Sequence, residues 1–235
     1  MKLDRRKPER PEGANSGTQR WRELLFVHWS FDPEMVRKLV PRAFELDLWE
    51  GEAWVGLVPF RMEATRPSWL PRRAALDFLE TNLRTYVHRD GKPGVYFFSL
   101  EASSWLAVRA ARLGWGLPYH HAEMTVVRDG DRVAFGSVRK SDPRATLDVV
   151  YDVGEELGPS ELGTLEHFLL ERYYLFVQHK DKVLTGQVHH VPYPARRAEL
   201  VYLEENLCGT AGLLNGRYRT THYSDGVEVE VFGPA

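Results

Sequence analysis

Six residues carry the chemistry this chain could perform together: Arg61, Asn82, Arg84, Tyr86, Tyr119 and His120. Two arginines aimed into one cavity would hold a carboxylate or phosphate through paired, charge-assisted hydrogen bonds. The Tyr119 hydroxyl could donate to such a ligand, and a neighbouring histidine could shuttle a proton. Period-two alternation puts Asn82, Arg84, Tyr86 and His88 on one face of a strand, with Thr81, Leu83, Thr85 and Val87 on the other. Alternation leaves open whether the first face meets a cavity or water. Arg61, inside a very apolar run, reads as a pocket residue or as half of a buried ion pair.

Other chemistries find less support. Schiff-base catalysis needs a lysine whose amine is kept neutral by an apolar site or a cationic neighbour. Lys140, Lys180 and Lys182 lie near expected hairpin ends, where a solvated lysine is the default. His120-His121 and His189-His190, with His28 and His167, invite a metal reading. Adjacent strand residues point to opposite faces, so each pair supplies at most one ligand per site. No spaced signature such as His-Glu-x-x-His occurs, and no metal and no cofactor are expected. There is no Gly-x-Ser-x-Gly elbow and no phosphate loop, and Cys208 has no signature around it. Glu166, His167, Glu171 and Arg172 read as a solvated ion-pair group on a helix.

The elements that must position these residues are mostly strands. Strands are expected over Leu24–Phe31, Phe44–Trp49, Ala53–Met62, Thr81–His88, Gly94–Leu100, Tyr119–Val127, Arg132–Val138, Ala145–Val153, Tyr173–His179, Val183–His189, Glu199–Glu204 and Val227–Phe232. Arg128-Asp129-Gly130-Asp131 is a strong hairpin signal, and Lys180-Asp181-Lys182 is expected to join another hairpin. Asp32-Pro33 starts a short helix. Ser103 or Ser104 caps a second, ended by Gly114, Gly116 and Pro118. Thr164 caps a third, and 206–213 forms a fourth. Residues 65–76, with two prolines, read as a long loop of the kind that covers pockets. The pattern predicts an α+β fold, a mainly antiparallel curved sheet forming a cone or partial barrel with a few short helices.

Thirty-one basic and 33 acidic residues leave a net charge of −2, which argues against affinity for nucleic acid or an anionic membrane surface. No apolar run is long enough to span a bilayer. The single cysteine excludes an intramolecular disulfide and points to a reduced, cytoplasmic protein. Residues 1–19, rich in Arg, Lys, Pro and Gly, read as a flexible tail, and 20–235 as a single domain.

The stretch Ala111-Arg112-Leu113-Gly114-Trp115-Gly116-Leu117-Pro118-Tyr119 resembles the segment that carries the Schiff-base lysine in acetoacetate decarboxylases. Arg112, Trp115, Gly116 and Pro118 match in register. Leu113 stands at a glutamate position, and Tyr119 stands at the lysine position. More of the chain resembles a bacterial family of uncharacterised proteins, the YqjF-like group of domain of unknown function 2071. The matching stretches include Trp54-Val55-Gly56-Leu57-Val58-Pro59-Phe60-Arg61-Met62, Asn82-Leu83-Arg84-Thr85-Tyr86-Val87 and Gly116-Leu117-Pro118-Tyr119-His120-His121-Ala122. The resemblance implies an acetoacetate-decarboxylase-like fold around a cavity. It also implies that the family's acidic partner falls near Asn82, so that acid and lysine are both lost, and decarboxylase activity is not expected.

The favoured expectation is a protein that binds a small acidic or polar ligand through Arg61, Asn82, Arg84, Tyr86, Tyr119 and His120. The alternative is an enzyme working without a Schiff base, a lyase, isomerase or hydrolase with Tyr119 or His120 as acid/base and an arginine stabilising an enolate or carboxylate. A structural or interaction role, with exposed tryptophans meeting a partner, stands third. A homo-oligomer is compatible with the sequence.

Overall fold

A computed structural model describes residues 3–179 and 182–234. The expected hairpin turn at Lys180-Asp181, and with it Lys180, lies outside the described residues.

The strands, in chain order, are β1 (Gly17–Phe31), β2 (Glu45–Leu46), β3 (Ala53–Pro67), β4 (Leu76–Arg89), β5 (Lys92–Ala102), β6 (Tyr119–Asp129), β7 (Arg132–Arg139), β8 (Thr146–Gly158), β9 (Tyr174–His179), β10 (Lys182–His189), β11 (Ala195–Glu205) and β12 (Arg217–Phe232). All belong to one sheet, in the order β10-β9-β5-β6-β7-β8-β11-β12-β1-β3-β4-β2. Further pairings of β4 with β5 and of β10 with β12 bend that sheet into a ring-like form. The expected α+β, mainly antiparallel architecture is the one observed.

Two forks give the sheet its shape. One edge of β5 pairs along its length with β4. Its other edge pairs first with β9, over Gly94–Tyr96, and then with β6, over Leu100–Ala102, both parallel. β12 divides similarly: residues 222–224 pair with β11 and residues 230–232 with β10. The strands between the forks, β1, β3 and β4, therefore have both faces covered. That explains why Ala53–Val58 reads as an unbroken apolar run, since a strand buried on both faces has no polar alternation. One core packs Leu25, Val27, Val55, Leu57 and Leu83 against Val133, Phe135, Leu147 and Val149. On the other side of the same strands, Leu24, Phe26, Val58 and Phe60 pack with Leu100, Tyr119, Val188 and Tyr193.

The helices form where capping chemistry allows. In α1 (Pro33–Leu39), Asp32 accepts from the Glu34 amide and proline occupies the first turn. In α2 (Trp105–Trp115), the Ser104 hydroxyl accepts from the Ala107 amide. Gly116 ends α2 at φ 68°, a left-handed conformation that glycine adopts without a Cβ penalty. Thr164 caps α3 (Leu165–Leu170), and α4 spans Leu207–Thr210.

Two expectations differ from the structure. The strand expected over Phe44–Trp49 shrinks to Glu45–Leu46 and pairs with β4 rather than with its neighbour β3. β12 begins at Arg217, well before Val227, because exposed polar residues there pair with β1 without showing an apolar pattern. β1 begins at Gly17, and several of the described residues before it contact the fold. Arg5 pairs with Asp47, Arg10 donates to Glu230 at 2.6 Å, and Gln187 donates to the Glu9 carbonyl at 2.8 Å.

Candidate active site

The even-numbered face of β4 presents Glu80, Asn82, Arg84 and Tyr86 in succession, all buried. β6 enters beside them: Tyr119 pairs with Leu100 of β5, whose own partner is Asn82. The Tyr119 hydroxyl donates to Glu80 Oε2 at 2.8 Å. Burial, first, and the charge of Glu101 behind it push the Glu80 carboxyl from the ordinary 4.5 up to about 8, against the bond from Tyr119. Glu80 is thus a neutral acid at pH 7. Burial and the adjoining acid raise the Tyr119 phenol well above its usual range, so both partners keep their protons.

Further along the face, His28 Nε2 lies 2.8 Å from the Tyr86 hydroxyl, which donates to the Leu169 carbonyl at 2.9 Å. Tyr86 has one proton and directs it to that carbonyl, so His28 must donate from Nε2. Burial, with His222 and Arg84 nearby, holds His28 well below its ordinary range, consistent with that neutral form. Gly56 makes the contact geometrically accessible. A Cβ there would sit 3.1 Å from His28 Nε2 and 3.3 Å from the Tyr86 oxygen.

Arg84 lies at the centre. Its guanidinium stands 5.6 Å from the Phe26 ring centroid and 6.0 Å from that of Tyr86. Its hydrogen bond to the Leu169 carbonyl is long, 3.4 Å. Among the described residues it has no carboxylate partner, and its Nε has no acceptor. Two acceptors nearby are also unused. One is Asn82 Oδ1. The other is His190 Nε2, whose ring donates from Nδ1 to the Val191 carbonyl at 2.6 Å. Burial lowers His190 to about 4, with Arg84 among the contributing charges, so its free Nε2 is an acceptor lone pair. Tyr193 connects the group, 4.8 Å from His190 and 5.3 Å from Phe26 between ring centroids.

Of the six expected residues, the structure brings four together: Asn82, Arg84, Tyr86 and Tyr119. Arg61 is on the opposite face of β3, where it and Arg128 pair with Glu23. Burial raises that carboxyl, but the two arginines outweigh it and hold it below the ordinary range. His120 follows Tyr119 and therefore faces the other way. It is half-buried and lowered to about 4 by burial and by Arg139 and Arg112. Its face contains Glu101, which is fully buried, accepts from Ser99 at 3.2 Å and is paired with Arg139.

The sequence reading missed four residues at or beside this group. Glu80 lies two positions before Asn82, in the alternation of Asn82, Arg84 and Tyr86, so an acid faces Tyr119 after all. Starting the strand at Thr81 hid it; β4 begins at Leu76. Glu171 and Arg172, expected on a solvated helix face, are buried because α3 stops at Leu170. Arg172 donates to Asp47 at 2.8 Å and stands 5.1 Å from the Tyr86 ring centroid. His190 is inward-facing, whereas His28, His120 and His190 do not converge on one point as a three-ligand metal site would require.

Asn82, Arg84 and Tyr119 retain only 7 %, 7 % and 8 % of their surface, so the group is closed to bulk solvent. An open cleft of about 540 Å³ lies beyond it, between the ends of β1, β3, β10 and β12 and the 66–75 segment, and His190 forms part of its wall.

A tyrosine opposed to a buried glutamate, at the point where β6 leaves β5, is the arrangement against which known proteins are best compared. The family model of DUF2071, an uncharacterized conserved protein, matches residues 18–228. The chain belongs to the DUF2071 family. It is 39% identical to the uncharacterized protein YqjF of Bacillus subtilis (strain 168) over 190 residues, 80% of this chain and 78% of YqjF. Among solved structures, it is similar to acetoacetate decarboxylase from Legionella pneumophila, with a TM-score of 0.65, 15% identity, and 96% and 90% of the two chains covered. It also resembles the enduracididine biosynthesis enzyme MppR complexed with pyruvate, with a TM-score of 0.62, 12% identity, and 96% and 91% covered. At these identities the likeness establishes the fold: this DUF2071 chain has an acetoacetate-decarboxylase-like architecture. No helix of the described residues is long and apolar enough to cross a membrane.

Proposed function

We propose that this DUF2071 protein binds a small hydroxy- or oxo-carboxylate against Arg84, with Asn82, His190 and Tyr119 around it. One observation carries the reading: Arg84 is a buried guanidinium with no counter-ion among the described residues and an unused Nε. A buried charge without a partner is costly, and a carboxylate would supply the missing bidentate partner. Asn82 Oδ1 and His190 Nε2 are unused acceptors suited to a hydroxyl on the same ligand. The structural relative MppR, seen with pyruvate, supports a carboxylate of this size on this scaffold.

A second reading, catalysis, rests on Glu80. Its carboxyl, raised to about 8, holds a proton that can be given or taken near neutral pH, and Tyr119 is positioned to relay it. This chemistry needs no imine, and Tyr119 has no amine to form one.

The binding reading is tested by thermal shift and calorimetric titration with pyruvate and lactate, on wild type and Arg84→Gln. Wild type should be stabilised in proportion to ligand saturation, and the folded variant should not respond. Absence of stabilisation by both acids, or an undiminished response in Arg84→Gln, refutes it. Release of carbon dioxide or exchange of substrate protons by wild type, abolished in Glu80→Gln, would establish the catalytic reading.

A further inference from the structure

One short stretch of chain covers the Arg84 face of β4. The Leu169 carbonyl, near the end of α3, accepts from Tyr86 at 2.9 Å and from Arg84 at 3.4 Å. Phe168 stands 5.1 Å from Tyr86 between ring centroids, and Glu171 accepts from the Tyr193 amide at 3.0 Å. The turn that follows places Tyr173 4.8 Å from His190. Residues 5–16 run over this cover. Arg5 pairs with Asp47, the buried carboxylate that also holds Arg172, and its guanidinium is 5.5 Å from the Phe168 ring centroid. The Lys7 ammonium stands 5.9 Å from the Tyr173 ring centroid. Burial first, and the Lys7 charge after it, lower His190 against its bond to Val191, so the same ammonium lies near the wall of the site. Arg10 then donates to Glu230 at 2.6 Å, and the Ser16 hydroxyl donates to the Gly233 carbonyl at 2.7 Å.

The two layers are held by different forces. Phe168, Leu169, Leu170, Glu171, Arg172 and Tyr173 are buried. The segment over them has, among the described residues, no backbone–backbone hydrogen bond before Ser16. Side-chain contacts to acids and rings fix it instead. Such contacts are individually weak where partly exposed, and a segment held by them opens locally before the core does. Pro8 and Pro11 favour an extended chain, so the segment crosses the cover without a helix or strand of its own. Arg6, between two residues that reach the cover, pairs with its neighbour Asp4 and is exposed. We infer that residues 5–16 form a strap that locks α3 and the 171–173 turn over the Arg84 face, and that a ligand reaches Arg84 when the strap is released. The second clause alone rests on the Arg84 reading.

Amide hydrogen exchange read by mass spectrometry on the full chain tests the strap. Wild type is compared with a triple variant, Arg5→Ala with Lys7→Ala and Arg10→Ala, and with Arg6→Ala as a charge control. In the triple variant exchange over residues 165–173 should rise about tenfold, the combined effect of three partly exposed contacts, while β6 and β7 exchange as before. Lys7→Ala alone, an exposed change, should give a smaller rise in the same peptides, and Arg6→Ala should match wild type. Stopped-flow binding of pyruvate should show association and dissociation accelerated by similar factors in the triple variant, with Kd little changed, because a lock alters passage rather than the bound state. Unchanged exchange over 165–173, an equal rise in Arg6→Ala, or a rise spread evenly over the whole sheet overturns the strap. Faster exchange there with unchanged pyruvate rates overturns its control of access. If 165–173 opens as expected and neither protein binds pyruvate, the lock stands and the Arg84 reading fails.

Discussion

Replacing Glu80 by glutamine should change how stability depends on pH far more than stability itself near pH 5. The folded carboxyl titrates at about 8 against an ordinary 4.5, so between those values the folded state holds a proton that the unfolded state has released. The stabilisation from that proton is complete below the unfolded value and is lost as pH rises through the folded one. The slope is about −1.4 kcal/mol per pH unit, which amounts to about 4 kcal/mol between about pH 5 and about pH 9. Set against a total of roughly 5–15 kcal/mol for a typical domain, the loss is large enough to measure. Glutamine cannot ionise, and its amide oxygen can still accept from the Tyr119 hydroxyl, so the fold should survive. Urea denaturation of both proteins across that range isolates Glu80, because every other titrating group is common to the two. The variant should gain on wild type steadily as pH rises, levelling above about 8. A Glu101→Gln background should move the inflection to lower pH, since Glu101 charge contributes to the elevation. Parallel stability curves for wild type and Glu80→Gln would refute the assignment of Glu80 as a buried neutral acid.

Other substitutions test the surrounding framework. Arg84→Gln removes a buried charge without a counter-ion, so the unliganded variant should be more stable than wild type by about 1–2 kcal/mol in denaturant melts, even as it loses ligand. Arg139→Met strands the buried Glu101 and should cost about 3 kcal/mol, most of it recovered when Glu101→Gln is added, as a double-mutant cycle would show. Arg5→Ala takes one of two arginines from Asp47, whose side chain is 1 % exposed, and should lower stability by about 1 kcal/mol in the same assay.

The strand-rich architecture was legible because its turns and caps are local. Arg128-Asp129-Gly130-Asp131 joins β6 to β7, Asp32 and Thr164 cap the expected helices, and Gly116 ends α2. Alternation grouped Asn82, Arg84 and Tyr86, and the resemblance placed Tyr119 against the same strand. The same rule separates His120 from Tyr119, as it does the two paired histidines, and it would have found Glu80 had the strand been extended upstream. Arg61 illustrates a different limit. On a strand buried on both faces, apolar flanks do not say which face a charged residue shares, and its partner Glu23 follows a break in β1 pairing. Arg172 and Asp47 are 125 residues apart, and no local pattern announces such a pair.

The tyrosine that faces Glu80 sets the charge of the inner face. A lysine opposite Glu80 would draw that carboxyl into an ion pair and share its charge. Tyr119 instead donates one neutral hydrogen bond, too weak to offset burial, so Glu80 stays protonated. On the other face of the sheet, burial raises the Glu101 carboxyl and Arg139, paired with it, opposes that rise. Further along the same face, Arg84 has no carboxylate partner among the described residues. An incoming carboxylate therefore need not break an internal salt bridge, and the gain from pairing Arg84 is available in full to binding.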